Sequence, residues 1–285
     1  MNHPKLFRSA IAEKKTMSLM GVFDVFSASV ATQHHDGLFV SGFGFAAAHY
    51  GLPDIGFIAW PDIVAFVQRL RLAFPCHHLL VDIEDGHIDP ETACEVSQQL
   101  EAAGASGVIL EDSKRLRRFG YVEGKTILPL DDYLEMLNLI LESRSDLFVV
   151  ARTGATAEEE ILVRTKAFAD TGADAILVDG LRSKEQICEV REAIGDKLLL
   201  FNQIAGGKSP RLSLRELTQL GVDVAIYGTS CLFAAQSAME EALTELKHAD
   251  GRLPECSSES IGITECLALL KKNVRRQHPT DVPDL

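Results

Sequence analysis

The chain has no apolar stretch approaching the roughly 18 residues of a membrane span, and its opening residues, MNHPKLFRSAIAEKK, hold no apolar segment of the kind an export signal needs. A cytoplasmic protein away from membranes is the expectation. Positive charge is also scarce: 28 Lys and Arg face 41 Asp and Glu, a net charge of −13, which leaves no basic face for nucleic-acid phosphate or anionic lipid. Neither nucleic acid nor a membrane is an expected partner. The six cysteines (Cys76, Cys94, Cys188, Cys231, Cys256 and Cys266) stand singly, without a C-x-x-C pair or a short secreted framework, so reduced thiols are expected. Low-complexity segments and long repeats are missing too. With 285 residues, 46% hydrophobic and 24% charged, the composition excludes disorder, collagen and coiled coil, and suffices for one large core or two small ones.

What is present is a rhythm. Eight short apolar runs each end in polar or glycine residues: Ser18–Asp24, Gly37–Phe43, His78–Asp85, Ser106–Asp112, Leu147–Thr153, Ala175–Gly180, Lys197–Ile204 and Val224–Thr229. Val, Ile and Leu run almost without alternation, as in strands buried on both faces, which makes the sheet parallel. Between the runs lie segments of helical period with readable ends. Asp89-Pro90-Glu91 opens a helix that closes at Gly104, and Thr156 followed by Glu158 and Glu159 reads as a shifted capping box. Asp62–Leu72, Asp131–Leu141, Lys184–Ile194, Leu212–Leu220 and Cys231–Leu246 fill the other slots. Eight such units over about 230 residues suit a (β/α)8 TIM barrel, with a doubly wound open sheet as the alternative. An N-terminal helix near Lys5–Lys14 and a C-terminal helix near Thr264–Arg276 lie outside them. The expected organisation is a catalytic barrel over 1–250, then a linker, the C-terminal helix and a loose tail over 251–285. The break at Gly251, Pro254 and Ser257–Ser260 suggests a helix that docks on a neighbouring subunit.

Acidic residues gather at the C-terminal ends of the runs: Asp24, Asp82, Glu84, Asp85, Glu111, Asp112 and Asp179. In a parallel barrel those ends share one mouth, where barrel enzymes work. Each carboxylate alone is equally well explained as a cap on the next helix. Together, Asp82, Glu84 and Glu111 make a candidate set for a hard divalent cation, and Mg²⁺, held by few carboxylates and several waters, fits best, with Mn²⁺ as the alternative. Arg152 ends a wholly apolar run and needs a carboxylate partner, from the substrate or from the protein. Ser41-Gly42-Phe43-Gly44 closes the second run with glycines that admit an anionic ligand to the main chain. Gly206-Gly207-Lys208-Ser209 resembles the tail of a phosphate loop, but Asn202 replaces its first glycine and nucleotide binding is rejected. His34, His35, His77 and His78 read as surface or capping residues, whereas His87, just beyond Asp82, is a secondary acid/base candidate.

In order from about residue 18 to 245, the segments GVFDVFSASV, SGFGFAAAHYGLPDIGF, VDIEDGHI, GVILED, a loop ending EGK, FVVART, GADAILVDG, FNQIAGGKSP and AIYGTS resemble the isocitrate lyase/phosphoenolpyruvate mutase superfamily. The combination is far more specific than any one motif. The resemblance implies a (β/α)8 barrel that binds Mg²⁺ and a small 2-oxo or 2-hydroxy acid and makes or breaks a C–C or P–C bond through a pyruvate enolate. It also implies a homo-oligomer, dimer or tetramer, that exchanges its C-terminal helix between subunits. By position, Asp82 would ligate the metal, with Glu84 and Glu111 holding its waters. Ser41, Gly42 and Phe43 would cradle the carboxylate and oxo group, Arg152 would bind a carboxylate, and Asp179 would line the substrate site. Asp54 of GLPD would stand near the metal, and Asn202 would reach the distal part of the substrate.

Two departures narrow the activity. The family's D-x-D-x-G appears here as Asp82-Ile83-Glu84-Asp85-Gly86. The thiol loop K-[KR]-C-G-H of the lyase branch appears as Arg117-Arg118-Phe119-Gly120-Tyr121, and phenylalanine carries no proton. A Phe-Gly pair in that slot is similar to the superfamily's oxaloacetate decarboxylases, where Tyr121 or a water would protonate the enolate. The retained Asn202 and GGKSP are similar to lyase and carboxyphosphonoenolpyruvate mutase members instead. The leading expectation is a Mg²⁺-dependent carbon–carbon lyase on a small 2-oxo or 2-hydroxy dicarboxylate, with oxaloacetate decarboxylation its most concrete form. The competitors are a P–C bond enzyme of the mutase or phosphonopyruvate hydrolase type and a catalytically reduced barrel that binds a 2-oxo acid.

Overall fold

The computed structural model describes residues 1–87, 89–114, 126–253 and 261–277. Each of the eight apolar runs becomes a strand, and all but the fifth are shortened at the C-terminal end, where the last residues of the run leave the sheet. The strands are β1 (Met17–Val22), β2 (Gly37–Val40), β3 (His78–Asp82), β4 (Gly107–Glu111), β5 (Phe148–Thr153), β6 (Ala175–Val178), β7 (Leu198–Asn202) and β8 (Val224–Tyr227). They pair in chain order, all parallel, and β8 returns to β1 to close a barrel, so the open-sheet alternative falls. The run composition explains the burial. One set of side chains, including Leu19, Phe39, Leu80, Ile109, Val150, Leu177 and Ile226, fills the barrel interior, while the alternate set packs outward on the helices.

Helix α1 (His3–Glu13) stoppers the bottom of the barrel. Phe7 and Ile11 join the interior cluster, and the Phe7 ring meets Phe148 edge-on at 5.0 Å. The outer layer holds α2 (Val25–Ala31), α3 (Gly42–Phe45), α4 (Trp60–Ala73), α5 (Pro90–Ala102), α6 (Leu130–Ser143), α7 (Glu158–Ala169), α8 (Lys184–Ala193), α9 (Leu214–Gln219) and α10 (Ser230–His248). A last helix, α11 (Ile263–Gln277), lies against α2 and α4, where Asn273 Nδ2 donates to Ser29 Oγ at 2.7 Å. Two helix starts depart from expectation. Asp24 belongs to no mouth cluster: its carboxylate accepts from Ser27 N–H at 2.6 Å and closes a capping box on α2. Conversely, Thr156 caps nothing; α7 begins after Ala157 without a side-chain cap, and Glu158, Glu159 and Glu160 in its first turn complement the helix dipole instead. Among the described residues no helix is long and apolar enough to cross a membrane.

At the N-terminal ends of the strands one device recurs every second unit. Ser106, Asp174 and Asp223, each just before or near the start of an even-numbered strand, accept the N–H of Leu79, Val149 and Leu199 on the preceding odd strand, at 3.1, 2.9 and 2.8 Å. Arg71, Arg144 and Arg191 donate to the carbonyls of Gly104, Gly172 and Gly221, which follow α5, α7 and α9. Main-chain groups that the strand and helix ends leave over are thereby satisfied by side chains.

Candidate active site

The opposite ends of the strands carry the chemistry. Asp82, the last residue of β3, accepts Glu84 N–H through Oδ1 at 3.0 Å, closing a tight turn in which Glu84 adopts the left-handed region at φ +55°. A non-glycine residue there is strained, and such strain is characteristic of functional turns. Glu84 O then accepts Glu111 N–H at 2.6 Å, so the turn is tied to the end of β4. Gly86, at φ +75°, has to be glycine: a Cβ would lie 2.6 Å from Ala93 Cβ and 2.9 Å from Met136 Sδ. Asp85 turns back on the same loop and accepts His87 N–H at 3.0 Å, and His87 is buried.

Against this turn lies the end of β2. A Cβ on Gly42 would stand 3.0 Å from Glu84 Oε1 and 3.7 Å from Asp54 Oδ2, so the main chain approaches both carboxylates only because the residue is glycine. Ser41 is buried and caps the short α3, its Oγ accepting Gly44 N–H at 3.1 Å. Phe43 projects from the rim, its ring edge-on to Phe233 of α10 at 6.2 Å.

Arg152 on β5 crosses the middle of the mouth. Its guanidinium reaches Asp179 Oδ2 at 2.8 Å, Asp82 Oδ2 at 3.2 Å and Glu111 Oε1 at 3.6 Å. Burial disfavours its charge, but Asp179, Glu111 and Asp82 outweigh burial and hold it protonated well above the usual arginine range. Asp82 is pushed the other way: burial raises its pKa, Arg152 opposes, and Asp54 and Glu111 add to the rise. On the far side, β7 ends at Asn202, whose Oδ1 is buried without a hydrogen-bond partner among the described residues and would face a Cβ on Gly228 at 3.4 Å. Thr229, after β8, is 5% exposed and its Oγ1 is likewise unpartnered.

Of the residues expected from sequence, Asp82, Glu111, Arg152 and Asp179 meet at ion-pair distances, and Gly42, Glu84 and Asp54 form the adjoining wall. Ser41, Phe43 and Asn202 lie around them at neighbouring strand ends. Asp112 departs: it is fully buried in an ion pair with Arg164 at 2.9 Å, turned from the mouth. Tyr121, with the whole Arg117–Tyr121 segment, lies outside the described residues. Thr229 was missed, although its place after a strand's last residue is where a mouth residue belongs. Tyr133, which touches the Arg152 main chain from α6, carries no sequence signal beyond being an aromatic on an apolar helix face.

The donor set fits a hard divalent ion. The carboxylates of Asp54, Asp82, Glu84, Glu111 and Asp179 outnumber the single guanidinium, all ligating atoms are oxygen, and Asp82, Glu84 and Glu111 are at most 7% exposed. Among the described residues no three Asp, Glu, His or Cys side chains converge as a ready metal cage.

Comparison with known proteins agrees with this architecture. The chain matches the phosphoenolpyruvate phosphomutase family over residues 7–247. It is 32% identical over 247 residues to a probable 2-methylisocitrate lyase 1 of Corynebacterium glutamicum, covering 85% of this chain and 80% of that protein. It is 27% identical to the 2,3-dimethylmalate lyase of Eubacterium barkeri, covering 88% of each. A crystal structure of 2,3-dimethylmalate lyase superposes with a TM-score of 0.88 at 25% identity, covering 97% of this chain and 94% of the other. Oxaloacetate acetylhydrolase in complex with 3,3-difluorooxalacetate superposes with a TM-score of 0.89 at 25% identity, covering 98% and 97%.

Proposed function

The chain belongs to the isocitrate lyase/phosphoenolpyruvate mutase superfamily, and we propose that within it this protein is a Mg²⁺-dependent carbon–carbon lyase acting on a small 2-oxo or 2-hydroxy dicarboxylate. One observation carries the reading. An arginine held protonated by its neighbours sits half-buried among three carboxylates beside a glycine main chain, an arrangement that a small anion and a cation can enter together without leaving charge uncompensated. Arg152 supplies a planar fork for a substrate carboxylate, and the Ser41–Phe43 main chain supplies donors for its 2-oxo end. Asp82, Glu84 and Glu111 would hold the Mg²⁺. When bound, that ion supplies positive charge to steady the electron pair left on the oxo acid as the carbon–carbon bond breaks. Asn202, whose buried Oδ1 has no hydrogen-bond partner among the described residues, orients the distal part of the substrate. Asp54, beside Gly42, orders protons and water near the reacting oxygens.

Within this class the most concrete activity is oxaloacetate decarboxylation. It needs no thiol acid, and Phe119 stands in the slot of the lyase-branch cysteine. By sequence position, Tyr121 is the side chain that would return the proton to carbon. Helix α10 buries no residue and exposes Met239 and Leu243, which supports a homo-oligomer built through the C-terminal helices.

The decisive experiment is Mg²⁺-dependent pyruvate release from oxaloacetate, 2-methylisocitrate, 2,3-dimethylmalate and phosphonopyruvate, with Asp82→Ala as control. Pyruvate from a carbon–carbon substrate, lost in the control, is the expected result, with oxaloacetate the best of them. Turnover of phosphonopyruvate alone would replace the lyase reading by a P–C bond enzyme. Silence across the panel with Mg²⁺ and oxalate still bound tightly would move the function to another substrate, and silence without binding would favour the catalytically reduced barrel.

A further inference from the structure

Glu111 and Arg152 are register partners on β4 and β5, and each projects into the mouth from the last turn of its strand. The main-chain groups on either side of this pair are held by side chains that take no part in the mouth itself. On one side is Tyr133 of α6, wholly buried with its ring 4.8 Å from Phe168. Its hydroxyl donates to Leu110 O at 2.9 Å and accepts from Arg152 N–H at 3.2 Å, so one oxygen spans both strands directly below the pair. On the other side is Asp112, which accepts from Thr153 Oγ1 at 2.6 Å, Gly154 N–H at 2.9 Å and Arg164 Nη1 at 2.9 Å. Arg164, 3% exposed, also donates to Leu128 O at 2.8 Å.

Both features add to stability, because a buried main-chain group or charge left without its partner is costly. Stability does not by itself explain where they stand. What the two share is location: the residues before and after Glu111, and the N–H of Arg152 with the two residues after it. Glu84 is included in the same assembly through its carbonyl, which accepts Glu111 N–H.

We propose that Tyr133 and the Asp112–Arg164 pair are positioning residues that fix the strand ends carrying Glu111 and Arg152, and so set where the carboxylate and the guanidinium stand relative to one another. This rests on the lyase reading for its kinetic consequence, though not for its structural one. A displacement of about 1 Å at a reacting centre costs on the order of 100-fold in rate, whereas substrate capture by the other mouth residues survives. The effect therefore falls on kcat more than on KM.

The test uses the full chain with Mg²⁺ and compares Tyr133→Phe and Asp112→Asn with Arg191→Ala, a substitution at the opposite end of the barrel. Three quantities are read besides Tm: kcat and KM for pyruvate release, Mn²⁺ affinity by electron paramagnetic resonance, and the ¹⁵N signal of the Arg152 Nε–H, assigned by its disappearance in Arg152→Lys. For Tyr133→Phe we expect kcat to fall about 10- to 100-fold with KM within about threefold, Mn²⁺ to bind about 10-fold more weakly, and the Nε–H signal to shift and exchange faster with water. Arg191→Ala should lower Tm alone. If Tyr133→Phe lowers Tm but leaves kcat, Mn²⁺ affinity and the Arg152 signal as in the parent, the positioning role is wrong and the hydroxyl is only a core contact. Should Asp112→Asn fail to fold, Tyr133→Phe decides by itself. Should the parent turn over nothing, the lyase reading falls, and the Mn²⁺ and Nε–H readings still decide the positioning role.

Discussion

At the scale of single residues, the mouth is a balance of one cation against several anions, and Arg152 is its fulcrum. Replacing it by Met leaves the buried Asp82 and Glu111 and the half-buried Asp179 without their shared partner, a loss of about 3–5 kcal/mol when one side of a buried pair is removed. Arg152→Met should therefore melt well below the parent in chelator and recover part of the difference when Mg²⁺ is added, as differential scanning calorimetry would show. If Mg²⁺ shifts the parent and the variant alike, the ion does not share these carboxylates. Gly42 tests the opposite wall. A methyl group there comes within 3.0 Å of Glu84 Oε1, so Gly42→Ala should lower kcat/KM by at least about 10-fold with Tm little changed, measured in the pyruvate assay. The carboxylates and Arg152 were legible because a charge at the end of an apolar run has few explanations. Asp24 and Asp112 had the same signature and different fates, a helix cap and a buried ion pair, because the run's end does not say which way its last side chain turns. Tyr133 was illegible: its role depends on α6 lying across β4 and β5, a contact far from it in sequence.

At the scale of elements, all eight strands and seven of the helices that follow them could be read from composition and period, with boundaries moved by a few residues where caps intervened, whereas α2 after β1 and the short α3 after β2 were not read. The capping box read at Thr156 failed since two glutamates near a threonine do not fix which residue leaves the helix first. The β3 turn was marked by its acids but not by its backbone. Gly86→Ala should cost about 2–4 kcal/mol, combining a left-handed conformation with a clash at Ala93, measurable by denaturant unfolding. At the other end of β3, His78 is held down to about 4 by burial, with Arg71 adding to it, against an ordinary 6.5. The unfolded chain then takes up the proton first, so stability is full above about pH 6.5 and declines as pH falls toward 4. The decline assignable to this group is about 1 kcal/mol after allowing for solvent screening, and His78→Asn should flatten that part of a Tm-against-pH curve.

At the scale of the whole molecule, α10 is an anomaly: every other long helix of the outer layer buries several residues, and it buries none. Its exposed Met239 and Leu243 give the homo-oligomer proposal a direct check. Sedimentation equilibrium should find a dimer or tetramer, and Met239→Glu with Leu243→Glu should shift it toward monomer; a parent that sediments as a monomer at micromolar concentration would end that proposal. The recurring seam at the base bears on something broader. Arg71, Arg144 and Arg191, with Ser106, Asp174 and Asp223, stitch three successive strand pairs, and none of them reaches the mouth. The two rims of this barrel thus draw on separate vocabularies of side chains. Substitutions at the upper rim can therefore exchange one bond-breaking chemistry for another without touching the contacts that hold the lower rim together.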